Sequence, residues 1–181
     1  MNSPSVVAAR EALLSRFTWR DGHADVWRVF ADGPAFATVV AGLAASWQDA
    51  GITKVIGIES RGFLLGGAVA LRLGVGFQAV RKVGGLLPGS KLTVTCTPDY
   101  RGTSHELRMQ DVLDVDDVVL LVDDWAERGS QAVGVRQLVE RSGSSFAGVS
   151  LMVDQLDDQT RLQLGRVTVL VTADELGDPD A

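Results

Sequence analysis

Apolar positions along the chain follow two alternating rhythms. Valine, alanine and leucine recur at helical spacing over residues 5 to 16, with Ser3-Pro4 as a start signal. Pro34 opens a second helix that runs to Ala50, and Gly51 supplies its stop. "KVIGIE" (54 to 59) is a short continuous apolar run that reads as a strand ending in an acid. "FLLGGAVALRLG" returns to helical spacing, and "GFQAVRK" (76 to 82) is a strand that ends in two cations. "HELRMQ" and "DVVLLV" (117 to 122) read as further strands, and residues 131 to 141 as a helix. "FAGVSLMVD" (146 to 154) and "RVTVLVT" (166 to 172) supply the last two strands. Two stretches keep neither rhythm. Residues 17 to 33 are aromatic-rich and broken by glycine, which predicts an irregular segment; residues 83 to 104 are rich in glycine and threonine, which predicts a long mobile loop.

Strands that alternate with helices, and that are apolar almost without interruption, predict an α/β fold with a mostly parallel sheet covered on both faces. The 181 residues suffice for one such domain. In these sheets ligands bind beyond the carboxyl ends of the strands. Glu59-Ser60-Arg61, Arg81-Lys82 and Asp123-Asp124 all fall at strand carboxyl ends, so they are expected to converge on one rim.

Composition narrows the classes of partner. Apolar residues make up 46% and charged residues 22%, an ordinary globular balance. The formal net charge of -6 argues against nucleic acid, whose phosphates it would repel. No apolar run is long enough to span a membrane, and Arg10 and Glu11 interrupt the N-terminal apolar stretch where a signal peptide needs its core. Cys96, the single cysteine, has no internal disulfide partner, and no cysteine cluster points to zinc. A reducing cytoplasm is the expected location.

The candidate chemistry centres on "VVLLVDDWAERGSQA". Side chains alternate across a strand, so adjacent carboxylates are expected to serve one ligand where the strand ends and the backbone turns. Carboxylates accept hydrogen bonds, and a vicinal diol such as that of ribose suits a pair of them. The loop that follows leads into a helix N-terminus, which favours an anion such as phosphate. A diol and a phosphate one loop apart describe a ribose 5-phosphate; a solvated acidic turn with a helix cap is the plain alternative.

That stretch resembles the phosphoribosyl-pyrophosphate signature of type I phosphoribosyltransferases. "VIGIESRGFLLGGAVALRLGVGFQAVRKVGGLLPG" (55 to 89) is similar to the adenine phosphoribosyltransferase subgroup, with Ser60-Arg61-Gly62-Phe63 after one strand and Arg81-Lys82 after the next. The resemblance covers roughly residues 17 to 155. It implies the type I fold in a single domain, a small N-terminal hood over about residues 15 to 33, and a mobile loop over about residues 83 to 104. It also implies transfer of a 5-phosphoribosyl group from phosphoribosyl pyrophosphate to a purine or purine-like base, with release of pyrophosphate. Asp123 and Asp124 would hold the ribose hydroxyls, and the backbone of Glu127, Arg128, Gly129, Ser130 and Gln131 would cradle the 5-phosphate. Arg61, Arg81 and Lys82 would face the leaving pyrophosphate. Asp99 and Tyr100 stand where the family has a glutamate-tyrosine pair, which makes Asp99 the candidate base near the purine nitrogen. Thr18, Trp19, Arg20 and Asp21 match the run that binds the base, with Trp19 as its stacking platform. The resemblance further implies Mg2+ bound through the substrate rather than by a dedicated set of side chains, and a homodimer.

Several positions depart from the family pattern. Its phosphate loop usually reads alanine-threonine-glycine-glycine-threonine, against Glu127-Arg128-Gly129-Ser130-Gln131 here. Glu127 would repel a phosphate unless it points outward or pairs, and Arg128 could offset it. Asp99 is a methylene shorter than glutamate, and Val83 and Gly85 replace cations, with Lys91 the nearest substitute. These changes leave open a non-catalytic regulatory homologue that binds phosphoribosyl pyrophosphate or a nucleotide. An unrelated phosphatase or receiver-like domain is weaker, because it gives the three cations no role. His23 and His105 read as structural or surface residues, Cys96 as an incidental thiol, and "DELGDPDA" as a solvated tail.

Overall fold

A computed structural model describes residues 3–96 and 105–177. Helix α1 (Pro4–Leu14) starts where the sequence signals it: the Ser3 side chain accepts a hydrogen bond from the Val6 amide, and proline occupies the first turn. A small hairpin follows, β1 (Thr18–Arg20) against β2 (His23–Asp25), then the short α2 (Trp27–Ala31) and α3 (Gly33–Ala45). The rest runs β3 (Lys54–Ile58), α4 (Arg61–Leu73), β4 (Gly76–Lys82), β5 (Lys91–Thr95), β6 (Glu106–Gln110), β7 (Val118–Ala126), α5 (Ser130–Arg141), β8 (Ser145–Asp154), α6 (Asp158–Leu164) and β9 (Val167–Thr172). A single 3-10 turn, Ala173–Leu176, ends the described chain.

Seven strands form one sheet in the order β5-β6-β4-β3-β7-β8-β9. β4, β3, β7, β8 and β9 are parallel, whereas β6 and β5 add an antiparallel edge. Neighbouring residues on β7 show why its sequence is apolar without alternation. Val122 joins a core shared with Leu43, Trp47 and Leu65 from α3, its C-terminal turn and α4, while Leu121 joins a second core with Leu138 of α5 and Leu151 of β8. Both faces are therefore covered, and each fully buried leucine contributes roughly 2 kcal/mol. The expected α/β architecture is the one observed.

Two close approaches set the position of α4. A β-carbon on Gly57 would lie 2.0 Å from the Gly62 carbonyl oxygen, and one on Gly62 would lie 2.8 Å from Asp123 Oδ1. Glycine at both positions lets α4 sit directly on β3 and β7, which carries Arg61 to the carboxyl rim. At the opposite rim Asp117 accepts from Thr53 Oγ1 at 2.6 Å, Lys54 Nζ at 3.2 Å and the Asp114 amide at 2.9 Å. This buried, fully partnered carboxylate ties the amino ends of β3 and β7 together.

The structure differs from the sequence expectations in several places. The segment over 17 to 33 is ordered as the hairpin and α2, because Asp21 and Gly22 both take positive φ and close a tight turn. The loop expected over 83 to 104 contains β5, an edge strand whose alternate residues are exposed and polar. The second helix stops at Ala45 rather than Ala50. Finally, the start of the expected tail is anchored: Glu175 pairs with Arg10 at 2.6 Å and caps its own 3-10 turn.

Candidate active site

Beyond the carboxyl ends of β3, β7 and β8 lies a cleft of about 580 Å³. One wall is the turn from β7 into α5. Glu127, Arg128, Gly129, Ser130 and Gln131 all line it, as the sequence led one to expect. Gly129 caps α5 with φ of +68°, and a β-carbon there would sit 2.6 Å from both Leu156 Cδ2 and Thr160 Cγ2. Glycine is thus required twice, by backbone and by space. The Gly129 carbonyl accepts from the Val133 amide, so the amides of the first turn open towards the cleft without intrahelical partners. Glu127 and Arg128 are both exposed and form no ion pair with each other. The carboxylate of Glu127 therefore has room to stand away from an anion bound at the backbone.

The two acids play different parts. β7 does not end at them; it continues through Asp123 and Asp124 to Ala126, paired with β8 as far as Asp154. Asp123 lines the cleft, and its Oδ1 accepts the Asp124 amide at 3.0 Å. Asp124 is 5% exposed and lies behind the cleft lining, with Oδ2 3.0 Å from Arg61 Nε. That contact is an ion pair without hydrogen-bond alignment, so this buried oxygen lacks a donor. Burial, with Asp124 alongside, pushes the Asp123 carboxyl well above its ordinary range. Burial also raises Asp124, although Arg61 pulls in the opposite direction. Of the two acids, Asp123 alone lines the cleft, where its carboxyl is placed to meet a ligand that brings hydroxyl groups.

The cations divide in the same way. Arg61, the first residue of α4, and Lys82, the last of β4, line the cleft. Arg81 does not: its Nε donates to Glu59 Oε2 at 2.8 Å and its Nη1 to the Leu86 carbonyl at 3.1 Å. Glu59 also accepts the Lys82 amide at 2.8 Å. Arg81 is therefore occupied in holding the turn after β4, while Lys82 faces the cleft. Lys91 donates to the Gly89 carbonyl at 3.0 Å and is not among the residues that line the cleft.

Thr18, Trp19 and Arg20 sit on the hairpin and not in the cleft lining. Arg20 is paired with Asp25 at 3.3 Å, and the Trp19 indole donates to the Leu176 carbonyl at 3.0 Å. Trp19 instead packs edge-on against Trp125, ring centroids 6.0 Å apart, and Trp125 lines the cleft. Its place two residues after Asp123 on one strand was the available signal. His105, read as a structural or surface residue from sequence, also reaches the cleft. Cys96 is 5% exposed in the second core, where burial raises its thiol pKa, which suits an inert side chain. Asp99 and Tyr100 lie outside the described residues.

No group of three or more metal-binding side chains occurs among the described residues, and none of their helices is long and apolar enough to cross a membrane.

No family model matches the chain. Individual proteins do. An adenine phosphoribosyltransferase of Streptomyces coelicolor is 39% identical over 130 residues, 72% of this chain and 70% of the relative. One from Edwardsiella ictaluri is 38% identical over 141 residues, covering 77% and 76%. Among solved structures, the adenine phosphoribosyltransferase of Rhodothermus marinus superposes with a TM-score of 0.80 at 29% identity, covering 91% of this chain and 98% of that one. The Giardia lamblia enzyme, complexed with 9-deazaadenine, gives 0.79 at 29%, covering 94% and 98%.

Proposed function

The chain belongs to the adenine phosphoribosyltransferase family, and from that premise we propose that it transfers a 5-phosphoribosyl group from phosphoribosyl pyrophosphate to a purine base, adenine in the first instance, with release of pyrophosphate. The observation that carries the reading is the cleft in which the α5 amides, Asp123, Arg61 and Lys82 meet. The amides and macrodipole of α5 receive the 5-phosphate, with Ser130 and Gln131 adding polar groups beside them. Asp123 accepts from the ribose hydroxyls, and Asp124 backs it through its amide, which donates to Asp123 Oδ1. Arg61 and Lys82 face the pyrophosphate, where negative charge grows as the C1–O bond breaks. Arg81 contributes by fixing the turn behind Lys82. Asp99 is the proposed base at the purine nitrogen. Catalysis is positioning plus electrostatic stabilisation of an oxocarbenium-like transition state, with inversion at C1.

Magnesium belongs to the reading as a companion of the substrate, neutralising the diphosphate; Asp123 is a hard oxygen donor at the place where it would arrive. A second copy of the chain is the proposed partner, supported by exposed apolar side chains on α4 and β4, among them Leu64, Leu71 and Phe77. The proposed location is the cytoplasm.

Glu127 and Arg128 favour one second reading, a homologue that binds phosphoribosyl pyrophosphate without turning it over. Chromatography of a mixture of protein, magnesium, phosphoribosyl pyrophosphate and adenine separates the two. Accumulating adenosine monophosphate supports the transferase. Thermal protection by phosphoribosyl pyrophosphate, with no nucleotide formed from any base of a purine and pyrimidine panel, supports the binder.

A further inference from the structure

The carboxyl end of β8 contributes a feature that the reaction above does not use. Gln155, the residue after Asp154, makes two contacts with the cleft wall. Its amide donates to the Ala126 carbonyl at 2.9 Å, and its side-chain Oε1 accepts the Trp125 indole N–H at 3.1 Å. The Trp125 ring is backed by Trp19 at 6.0 Å and by Phe17 at 6.5 Å. The ring is thus packed on its inner side and tethered at one edge. The remaining side forms part of the cleft between Asp123 and Glu127.

From this geometry we infer that Gln155 is a positioning residue: it sets the plane of Trp125 so that the indole forms the wall against which a flat heteroaromatic base lies. The inference rests on the proposed transferase reading and assigns the aromatic contact to Trp125 in place of Trp19. An indole without a tether retains its packing but can pivot about χ2, and the wall then presents variable tilt to the base. The hydrogen bond is exposed to solvent, so water competes for it and the effect is modest.

Two variants isolate the tether. Gln155→Met keeps the length and the backbone bond to Ala126 but lacks the acceptor, whereas Gln155→Glu keeps an acceptor. The expected result for Q155M is a rise in the KM for adenine of roughly fivefold, the equivalent of one net hydrogen bond, with the KM for phosphoribosyl pyrophosphate unchanged. Q155E should restore the wild-type value. In 1H–15N spectra the Trp125 indole resonance, assigned with Trp125→Phe, should move in Q155M and stay in place in Q155E. A displaced indole with an unaltered adenine KM overturns the inference. An equal rise in both KM values also overturns it, since it reports general loosening of the β7–α5 turn. If the wild-type protein turns over no base, the transferase reading fails separately, and calorimetric titration of adenine decides the matter. Weaker adenine binding in Q155M than in wild type and Q155E then supports the tether, and no difference between the three overturns it.

Discussion

Gly129→Ala tests the link between backbone conformation and the proposed phosphate site. The substitution places an L residue at φ of +68°, which costs about 1–2 kcal/mol. Its β-carbon would also stand 2.6 Å from Leu156 Cδ2 and Thr160 Cγ2, overpacking of the kind that costs about 1–3 kcal/mol. The two effects act on the same few atoms and sum to about 3 kcal/mol. Urea unfolding should therefore show a lower midpoint with an unchanged slope. Relief of the clash moves the turn that carries residues 127 to 131, so the KM for phosphoribosyl pyrophosphate should rise on the order of ten- to a hundredfold. A second substitution apportions the loss. Thr160→Ser deletes Cγ2 but keeps the hydroxyl that donates to the Arg128 carbonyl. In the G129A background it should return about 1 kcal/mol, leaving the φ cost and the Leu156 contact in place. Wild-type stability and KM in G129A would show that the turn is not held as described, and the argument for a preformed cradle would fall.

Three further perturbations probe the acids and the cations. Arg61→Met strips the charge partner from Asp124, which is 5% exposed; stability should fall by about 3 kcal/mol at neutral pH and by less in acid, where Asp124 takes up a proton, as paired urea melts would report. Asp123 is raised in the folded state, so the native protein holds more protons than the unfolded chain, and stability falls as pH climbs from the ordinary carboxylate range through the native value. Asp123→Asn removes that slope: it should unfold at higher urea than wild type at neutral pH while losing turnover, and a destabilised D123N would contradict the sign. Lys82→Met should raise the KM for phosphoribosyl pyrophosphate more than Arg81→Met, because Lys82 lines the cleft and Arg81 is engaged by Glu59 and the Leu86 carbonyl; the reverse order in steady-state kinetics would refute the division of roles.

The apolar runs of β3, β7 and β8 could be read from the sequence because burial on both faces leaves no alternation to confuse. The gathering of Arg61, Lys82 and Asp123 at one rim followed from the same pattern. What could not be read depended on partners distant in sequence. The Asp-Asp pair looks like the end of a strand, since two acids break an apolar run. β7 nevertheless continues, because its backbone stays paired with β8 as far as Asp154, and Arg61 arrives from α4 to accompany the buried Asp124. Arg81 and Lys82 look equivalent as neighbours, yet strand alternation and the carboxylate of Glu59 send them to different places. Trp19 reads from the sequence as the stacking platform, and nothing local signals its contacts with the Leu176 carbonyl and the Trp125 ring. β5 was lost in a polar, glycine-rich stretch because edge strands carry solvent-facing residues by design.

Phosphorus NMR of phosphoribosyl pyrophosphate with magnesium, adenine and the protein tests the central claim most directly. The account predicts that the diphosphate resonances give way to free pyrophosphate and a nucleotide 5-monophosphate in equal amounts, with no change when Asp123→Asn replaces the wild type. Unaltered substrate signals with the wild-type protein, or pyrophosphate appearing without a nucleotide, would contradict it.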